Sequence, residues 1–375
     1  MGKHLVLVGG GHAHMVTLAN LHKFVEKGHN ITVIGPSPYH YYSGMGPGML
    51  GKIYKPDDIR FATKHVVEKQ GSTFVLGMVV RVDPVEKTLF LESGETVPYD
   101  VLSFNAGSYV PVSNVKDNGL DIYSVKPIEK LIEAQTRILE LVSQKTIIIS
   151  IIGGGPSAAE IAGNIWRLAR DLDKSTPVIR IFAGNKFMSR FPDNVRSKVA
   201  SSLTNRGIEI LEKGYVKEII TGHITLESGE SYDTDIIFLA LGVKPSPIFK
   251  ESGLPIGTDG GLLVNQYLQS TKYPEIFGGG DCIYFKKQPL DKVGVYAVRE
   301  NPVLYQNLMA SLEGAELLPF DPGGDYLLIF NMGDGTGVLR KKWIFFGGRL
   351  AFTIKDYIDR KKDRSEEHTS ELQSR

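Results

Sequence analysis

Apolar and polar positions fall into a repeating pattern along the first two thirds of the chain. His4–Val8 is an apolar stretch, Gly9-Gly10-Gly11 breaks it, and His12–Lys27 carries Met15, Leu18, Ala19, Leu21 and Val25 at helical spacing. Asn30–Ile34 follows as a second strand. The order returns further on. Thr146–Ile152 is strongly β-branched, Gly153-Gly154-Gly155 breaks it, Pro156–Asp171 has helical spacing and Val178–Phe182 is a strand. Each copy then runs into β-rich sequence: Phe74–Val82 and Thr88–Leu91 in the first, Ile208–Ile220 and Ile224–Glu227 in the second. Each closes with Tyr-Asp (Tyr99-Asp100, Tyr232-Asp233), an apolar strand and a small residue before Gly. Two homologous dinucleotide-binding βαβ units are the natural reading.

Beyond Val243 a Pro- and Gly-rich connector leads to KYPEIFGGGDC, Lys272–Cys282. The pattern then predicts a helix over about 295–312, short strands at 326–330, 337–339 and 343–346, and a last helix over about 350–361. RSEEHTSELQSR, Arg364–Arg375, has Leu372 as its only large apolar residue and resembles translated adapter sequence. It is expected to be non-native, leaving the natural C-terminus missing.

Composition narrows the class. A 375-residue chain that is 42% hydrophobic and 23% charged has the balance of a globular protein of two or three domains. Its 43 Lys and Arg nearly cancel 42 Asp and Glu, and no basic stripe interleaved with aromatics calls for nucleic acid. The N-terminus reads as a strand entering a glycine turn rather than a signal peptide, and no apolar run approaches the ~20 residues of a bilayer span. Cys282 is the one cysteine, which fits a reducing, cytoplasmic setting and excludes a thiol pair. The nine histidines form no metal-ligand pattern, so no metal site is expected.

The glycines carry the candidate chemistry. Gly9, Gly10, Gly11, His12 and Ala13 stand between strand and helix, where backbone N–H groups at a helix start can meet a pyrophosphate. A tight turn with no ligand is the plain alternative. His14 takes the place where a small residue normally packs helix to sheet. The second turn, with Gly153, Gly155, Pro156 and Ser157, is cleaner because Ala158 suits that packing. Neither second strand ends in the carboxylate that usually holds a ribose. Lys186 and Arg190 lie just past the second of these ends, suited either to a 2′-phosphate or to a solvated basic loop.

Two glycine turns, two strand ends at Ala106-Gly107 and Leu241-Gly242, and Gly280-Asp281 in this order resemble the two-dinucleotide flavoproteins of the pyridine nucleotide–disulfide oxidoreductase fold. The resemblance runs from residue 1 to about 360. It implies an α/β protein with two Rossmann-like domains, the second inserted in the first, plus a small C-terminal α+β region. Residues 1–115 and 244–312 would form the FAD-binding domain, 116–243 the NAD(P)H-binding domain, 313–363 an interface region and 364–375 the non-native tail. Asp281 would accept a hydrogen bond from the flavin ribityl chain, a helix cap being the alternative.

GGGHAH, YYSGMGPGML (Tyr41–Leu50), SVKPIEKL (Ser124–Leu131), GVYAVRENPVLYQNL (Gly294–Leu308) and LAFTIKDYIDRK (Leu350–Lys361) narrow the likeness. They look like NADH-dehydrogenase-like flavoproteins that also occur fused to selenide, water dikinase; type II NADH:quinone dehydrogenases and sulfide:quinone oxidoreductases are more distant. The likeness places the loop Ser43–Gly48, with Ser43 and Pro47, near the flavin, and has Tyr296 and Ala297 offer backbone amides to its pyrimidine edge. Lys126 and Glu160 are the candidate catalytic groups, an exposed lysine and a first-turn carboxylate being their plain readings.

With one cysteine, electrons would leave the flavin for a diffusible acceptor, and a quinone is the choice consistent with the family. The expected activity is FAD-dependent NAD(P)H dehydrogenation, hydride passing from nicotinamide to flavin. A flavin-binding regulatory protein with little turnover, and an electron-delivering subunit of selenium or sulfur metabolism, are the alternatives. Trp343–Lys362 can lie peripherally on an anionic membrane or pack on the flavin domain. The sequence leaves NADH against NADPH, and monomer against homodimer, open.

Overall fold

In the computed structural model, residues 2–111, 121–170, 176–220 and 222–371 are described, with side chains as far as Arg360. The two halves of the sequence repeat build two parallel five-stranded sheets of the same design. In the first, the order is Ile276–Gly278, Val101–Phe104, His4–Val8, Asn30–Gly35, Thr73–Leu76. In the second it is Asp121–Ser124, Ile236–Leu239, Ile148–Ile152, Val178–Phe182, Glu209–Leu211. Their central strands are continuous apolar runs because helices cover both faces. The outermost strand of the first sheet comes from beyond the second sheet in sequence, so the second unit is inserted in the first. The expected boundary at 115/116 falls in 112–120, outside the described residues.

Each unit also carries a three-stranded antiparallel sheet, at Val79–Asp83, Thr88–Leu91 and Thr96–Pro98, and at Val216–Ile220, His223–Leu226 and Ser231–Asp233. The register shifts at the corresponding place in both, between Val79 and Arg81 and between Val216 and Glu218. The Tyr-Asp match of the sequence is out of register. Asp100 Oδ2 accepts from the His4 amide at 2.7 Å, and it is Asp235 Oδ2, not Asp233, that accepts from the Ile148 amide at 2.7 Å. Pro98 and Asp233 are the equivalent pair, sitting opposite Thr88 and His223.

Two local expectations also change. The helix expected over His12–Lys27 is a 3-10 turn at His12–His14, then Met15–Ala19 and Leu21–Glu26. It breaks at Asn20, whose side-chain amide donates to the Val16 carbonyl at 2.8 Å and competes with the helical ladder. The segment Ser43–Gly48 is not an open loop but a 3-10 turn, Ser43–Met45, leading into the short helix Gly46–Leu50. Met45, Met49, Leu50 and Tyr54 join the core of the second unit, as do Phe330, Met332 and Val338 from the C-terminal region.

That region is an antiparallel sheet, Leu328–Asn331, Gly337–Lys341 and Ile344–Gly348, followed by the helix Arg349–Glu371. The helix turns Ala351, Lys355 and Asp359 inward and leaves Leu350 and Tyr357 exposed, so its inner face is partly polar. Among the described residues, no helix is long and apolar enough to cross a membrane.

Candidate functional site

The first glycine turn is fixed by backbone contacts that only glycine permits. Gly9 has φ +89°, and a Cβ there would stand 2.2 Å from the Asn105 carbonyl oxygen. His14 locks the turn from beneath. Its Nδ1 donates to the Gly9 carbonyl at 2.7 Å, so its Nε2 accepts from the Ser103 hydroxyl at 2.8 Å. Burial pushes the imidazole down to about 4 against the pull of the Gly9 carbonyl, keeping it neutral. His14 thus replaces the usual small residue with a hydrogen-bonded wedge.

The late Gly-Asp motif arrives beside this turn. Gly279 donates to the Phe104 carbonyl at 2.9 Å. The Asn105 side chain lies between the two turns: a Cβ at Gly11 would be 2.8 Å from its Nδ2, and one at Gly280 would be 2.9 Å from its Oδ1. Asn105 is buried, yet its Nδ2 has no hydrogen-bond partner. Thr63 Oγ1, beside Gly10, is likewise unsatisfied.

Asp281 and Lys126, singled out separately in the sequence, meet here. Lys126 Nζ lies 2.7 Å from Asp281 Oδ2, and the Ser108 hydroxyl donates to the same oxygen at 2.7 Å. Burial opposes the Asp281 charge, but Lys126 and Ser108 outweigh it and hold the carboxyl below its usual range. Ala106 and Gly107 form the strand end just before Ser108, with Gly107 at φ +64°. His40, pushed to about 4 by burial and by Lys126, has a buried Nε2 with no partner. The His12 ring packs 5.4 Å from it and 4.8 Å from Tyr42.

Behind the motif, Glu300 on the helix Gly294–Glu313 accepts from the Gly280 amide at 2.5 Å. Only 1% exposed, it is pushed up to about 8 by burial. Ala297 packs toward Gly280, whereas the Tyr296 amide, expected to be free for a ligand, donates to the Val293 carbonyl at 3.1 Å. Cys282 is fully buried, its thiol 3.2 Å from the Gly279 carbonyl, and burial raises it to about 12.

The second turn repeats the first. Gly153 has φ +134°, and a Cβ there would be 2.1 Å from the Ala240 carbonyl oxygen. Gly155, in contrast, faces open space. It opens on a cavity of about 720 Å³ walled by Gly153–Ser157, Ala183–Lys186 and Gly242. That volume falls in the range of small-molecule sites.

Glu160 does not line this cavity. It accepts from the Asn331 amide at 2.7 Å, and lies in the field of Lys355, which pairs with Asp359 at 2.9 Å and donates to the Gly44 carbonyl at 3.2 Å. Burial raises Glu160, with Lys355 and the Asn331 amide opposing. Sequence reasoning missed Asn105, Ser108, His40 and Glu300. Asn105 and Ser108 flank the strand end Ala106-Gly107 already noted, and Glu300 stands in the segment GVYAVRENPVLYQNL, which were the available signals; His40 gave none.

The model of the pyridine nucleotide-disulphide oxidoreductases matches residues 3–309. The chain belongs to that family. Members of this oxidoreductase family typically bind FAD and NAD(P)H. A type II NADH:quinone oxidoreductase of Staphylococcus saprophyticus is 23% identical over 389 residues, covering 95% of this chain and 94% of the relative. The nitrite reductase [NAD(P)H] of Bacillus subtilis is 24% identical over 295 residues, 75% of this chain; the chain spans about a third of that relative's length, 34% of it being covered. Among solved structures, NDH2 from Plasmodium falciparum in complex with NADH superposes with a TM-score of 0.81 at 14% identity, covering 98% of this chain and 97% of that one. That likeness establishes the shared two-Rossmann fold of the oxidoreductase.

Proposed function

We propose that this oxidoreductase holds FAD between the first glycine turn and Asp281, takes NAD(P)H into the cavity of the second unit, and reduces a quinone-like acceptor. The observation that carries the reading is the meeting of Gly9–Gly11 with Gly280–Asp281 across Asn105, residues far apart in the sequence. Their chemistry suits a flavin dinucleotide. Amides at the Gly10–Ala13 turn suit a pyrophosphate, the unsatisfied Asn105 Nδ2 and Thr63 Oγ1 await an acceptor, and Asp281 suits a hydroxyl chain. In the second unit, Gly155, Pro156, Ser157 and Gly242 leave room for the nicotinamide dinucleotide.

When bound, the two cofactors supply the hydride chemistry. The chain's own residues bind, orient and set charge. Lys126 keeps Asp281 ionised and presents a cation at the mouth of the flavin site. His12, packed against His40 and Tyr42, would border the same site, His40 lying in the field of Lys126. Ser43 and Pro47, on the segment that follows Tyr42, would border the same site. Glu160, tied to Asn331, would act from the C-terminal side. A buried single thiol leaves no cysteine pair to receive electrons, which favours direct transfer to a diffusible acceptor. The name of the Staphylococcus saprophyticus relative supports a quinone. Trp343, 87% exposed, and Ile344, Leu350 and Tyr357 are exposed apolar residues of the C-terminal region, with Lys341, Lys342 and Arg349 near them in sequence, a composition suited to peripheral contact with an anionic membrane.

Anaerobic addition of NADH or NADPH to the FAD-loaded protein should bleach the long-wavelength flavin band, and a short-chain quinone should restore it. Absence of bleaching with either nucleotide would remove the dehydrogenase reading. A second reading, electron delivery to a protein or to a sulfur or selenium compound, is favoured by the nitrite reductase relative, in which the matching part is only a third of the whole. It expects bleaching but no reoxidation by quinones.

A further inference from the structure

We propose that the second cavity selects a dinucleotide carrying a 2′-phosphate, NADPH over NADH, with Lys186 and Arg190 receiving that phosphate. The inference rests on the reading of the second unit as the nicotinamide site and adds its specificity. In a βαβ dinucleotide unit the adenosine ribose lies past the end of the second strand, where a carboxylate holds the free 2′-hydroxyl and repels a phosphate. Here that strand, Val178–Phe182, runs into Ala183-Gly184-Asn185-Lys186, and no Asp or Glu stands among the residues walling the cavity.

Nearby carboxylates are already engaged. Glu212 accepts from the Phe187 amide at 2.5 Å, and Asp193 pairs with Arg196 at 2.8 Å while standing 3.8 Å from Lys186. Among the described residues, no ion pair engages Arg190.

The loop is built to aim these cations. Phe187 and Met188 are buried at 2% and 1%, and the Met188 amide donates to the Gly154 carbonyl at 2.7 Å, fastening the loop to the glycine turn itself. Lys186 on one side of this anchor and Ser189 and Arg190 on the other line the same cavity. A guanidinium and an ammonium on a fixed loop, with a hydroxyl between them, form a donor set for a phosphate dianion. The Tyr215 ring lies against Gly184 and gives the cavity an aromatic wall beside them.

The test is equilibrium titration of the FAD-loaded full chain with NADP⁺ and NAD⁺, and with 2′,5′-ADP and 5′-AMP. Binding of the 2′-phosphorylated member of each pair should be at least about tenfold tighter, as expected for one or two charge-assisted hydrogen bonds. The advantage should shrink as salt rises. The Lys186→Ala/Arg190→Ala variant should bring each ratio near one, by weakening the 2′-phosphorylated ligand far more than its partner. Equal or tighter binding of NAD⁺ and 5′-AMP by the unaltered protein overturns the proposal and leaves the dinucleotide reading standing, as does a ratio that survives the double substitution. Failure of all four nucleotides to bind overturns both. Should a variant misfold, the unaltered protein's ratio and its salt dependence decide alone.

Discussion

His14 shows how one side chain can set a pH limit on a whole turn. Its folded imidazole titrates near 4 rather than 6.5, so the unfolded chain binds the extra proton between those values. Stability therefore rises with pH from about 4 to 6.5, and is lost in the same window on acidification, by about 3 kcal/mol from this residue. His14→Gln should flatten that limb in urea-melt midpoints taken across the window. Cys282 makes the opposite kind of prediction. With its thiol buried and raised to about 12, it should resist iodoacetamide at neutral pH in the native state and label promptly in denaturant. Rapid native labelling would contradict the packing described for the Gly279–Cys282 turn.

Sequence legibility at this level was uneven for a physical reason. Asp281 and Lys126 stand out by type and motif, but their 2.7 Å contact joins positions 155 residues apart. Glu300 looks like any helix carboxylate until Gly280 is placed against it.

Turns and strands were more legible, because the glycine breaks and apolar runs reflect local backbone demands. The two turns separate the demands of folding from those of binding. Gly9→Ala or Gly153→Ala would force a Cβ to within 2.2 or 2.1 Å of a carbonyl oxygen at positive φ, and each should cost at least about 1–3 kcal/mol of stability. Gly155→Ala meets nothing within 4 Å. It should leave the melting temperature nearly unchanged while weakening nucleotide binding, which parallel melts and titrations would show. The error over Asp233 and Asp235 is equally instructive. A dipeptide match carried no information on which carboxylate caps the neighbouring strand, and only the register of the antiparallel ladder did. Likewise, helical spacing over His12–Lys27 concealed the break at Asn20, which depends on a side-chain amide reaching its own helix.

Across the whole molecule, the C-terminal region is joined to the second unit by apolar packing and by several polar contacts, among them a buried charge cluster. Lys355 and Asp359 have side chains 11% and 6% exposed, and Glu160 shares the lysine's field. Lys355→Met should cost about 3–5 kcal/mol by stranding buried carboxylates. Adding Asp359→Leu should recover most of it, and the two urea midpoints test that non-additivity. The amphipathic pattern of the last helix was visible in the sequence. Its orientation was not, because the inward face is defined by partners on Gly44, Tyr42 and Glu160 rather than by hydropathy.

The strand Ile276–Gly278 bears on how such a chain emerges from a ribosome. Every strand of the inserted sheet is synthesised before it, so that sheet can have all its strands while the N-terminal one still has a bare edge. Of the two parallel sheets, the one translated first is the one finished last. Until then, the unpaired flank of Val101–Phe104 is an open template for mispairing.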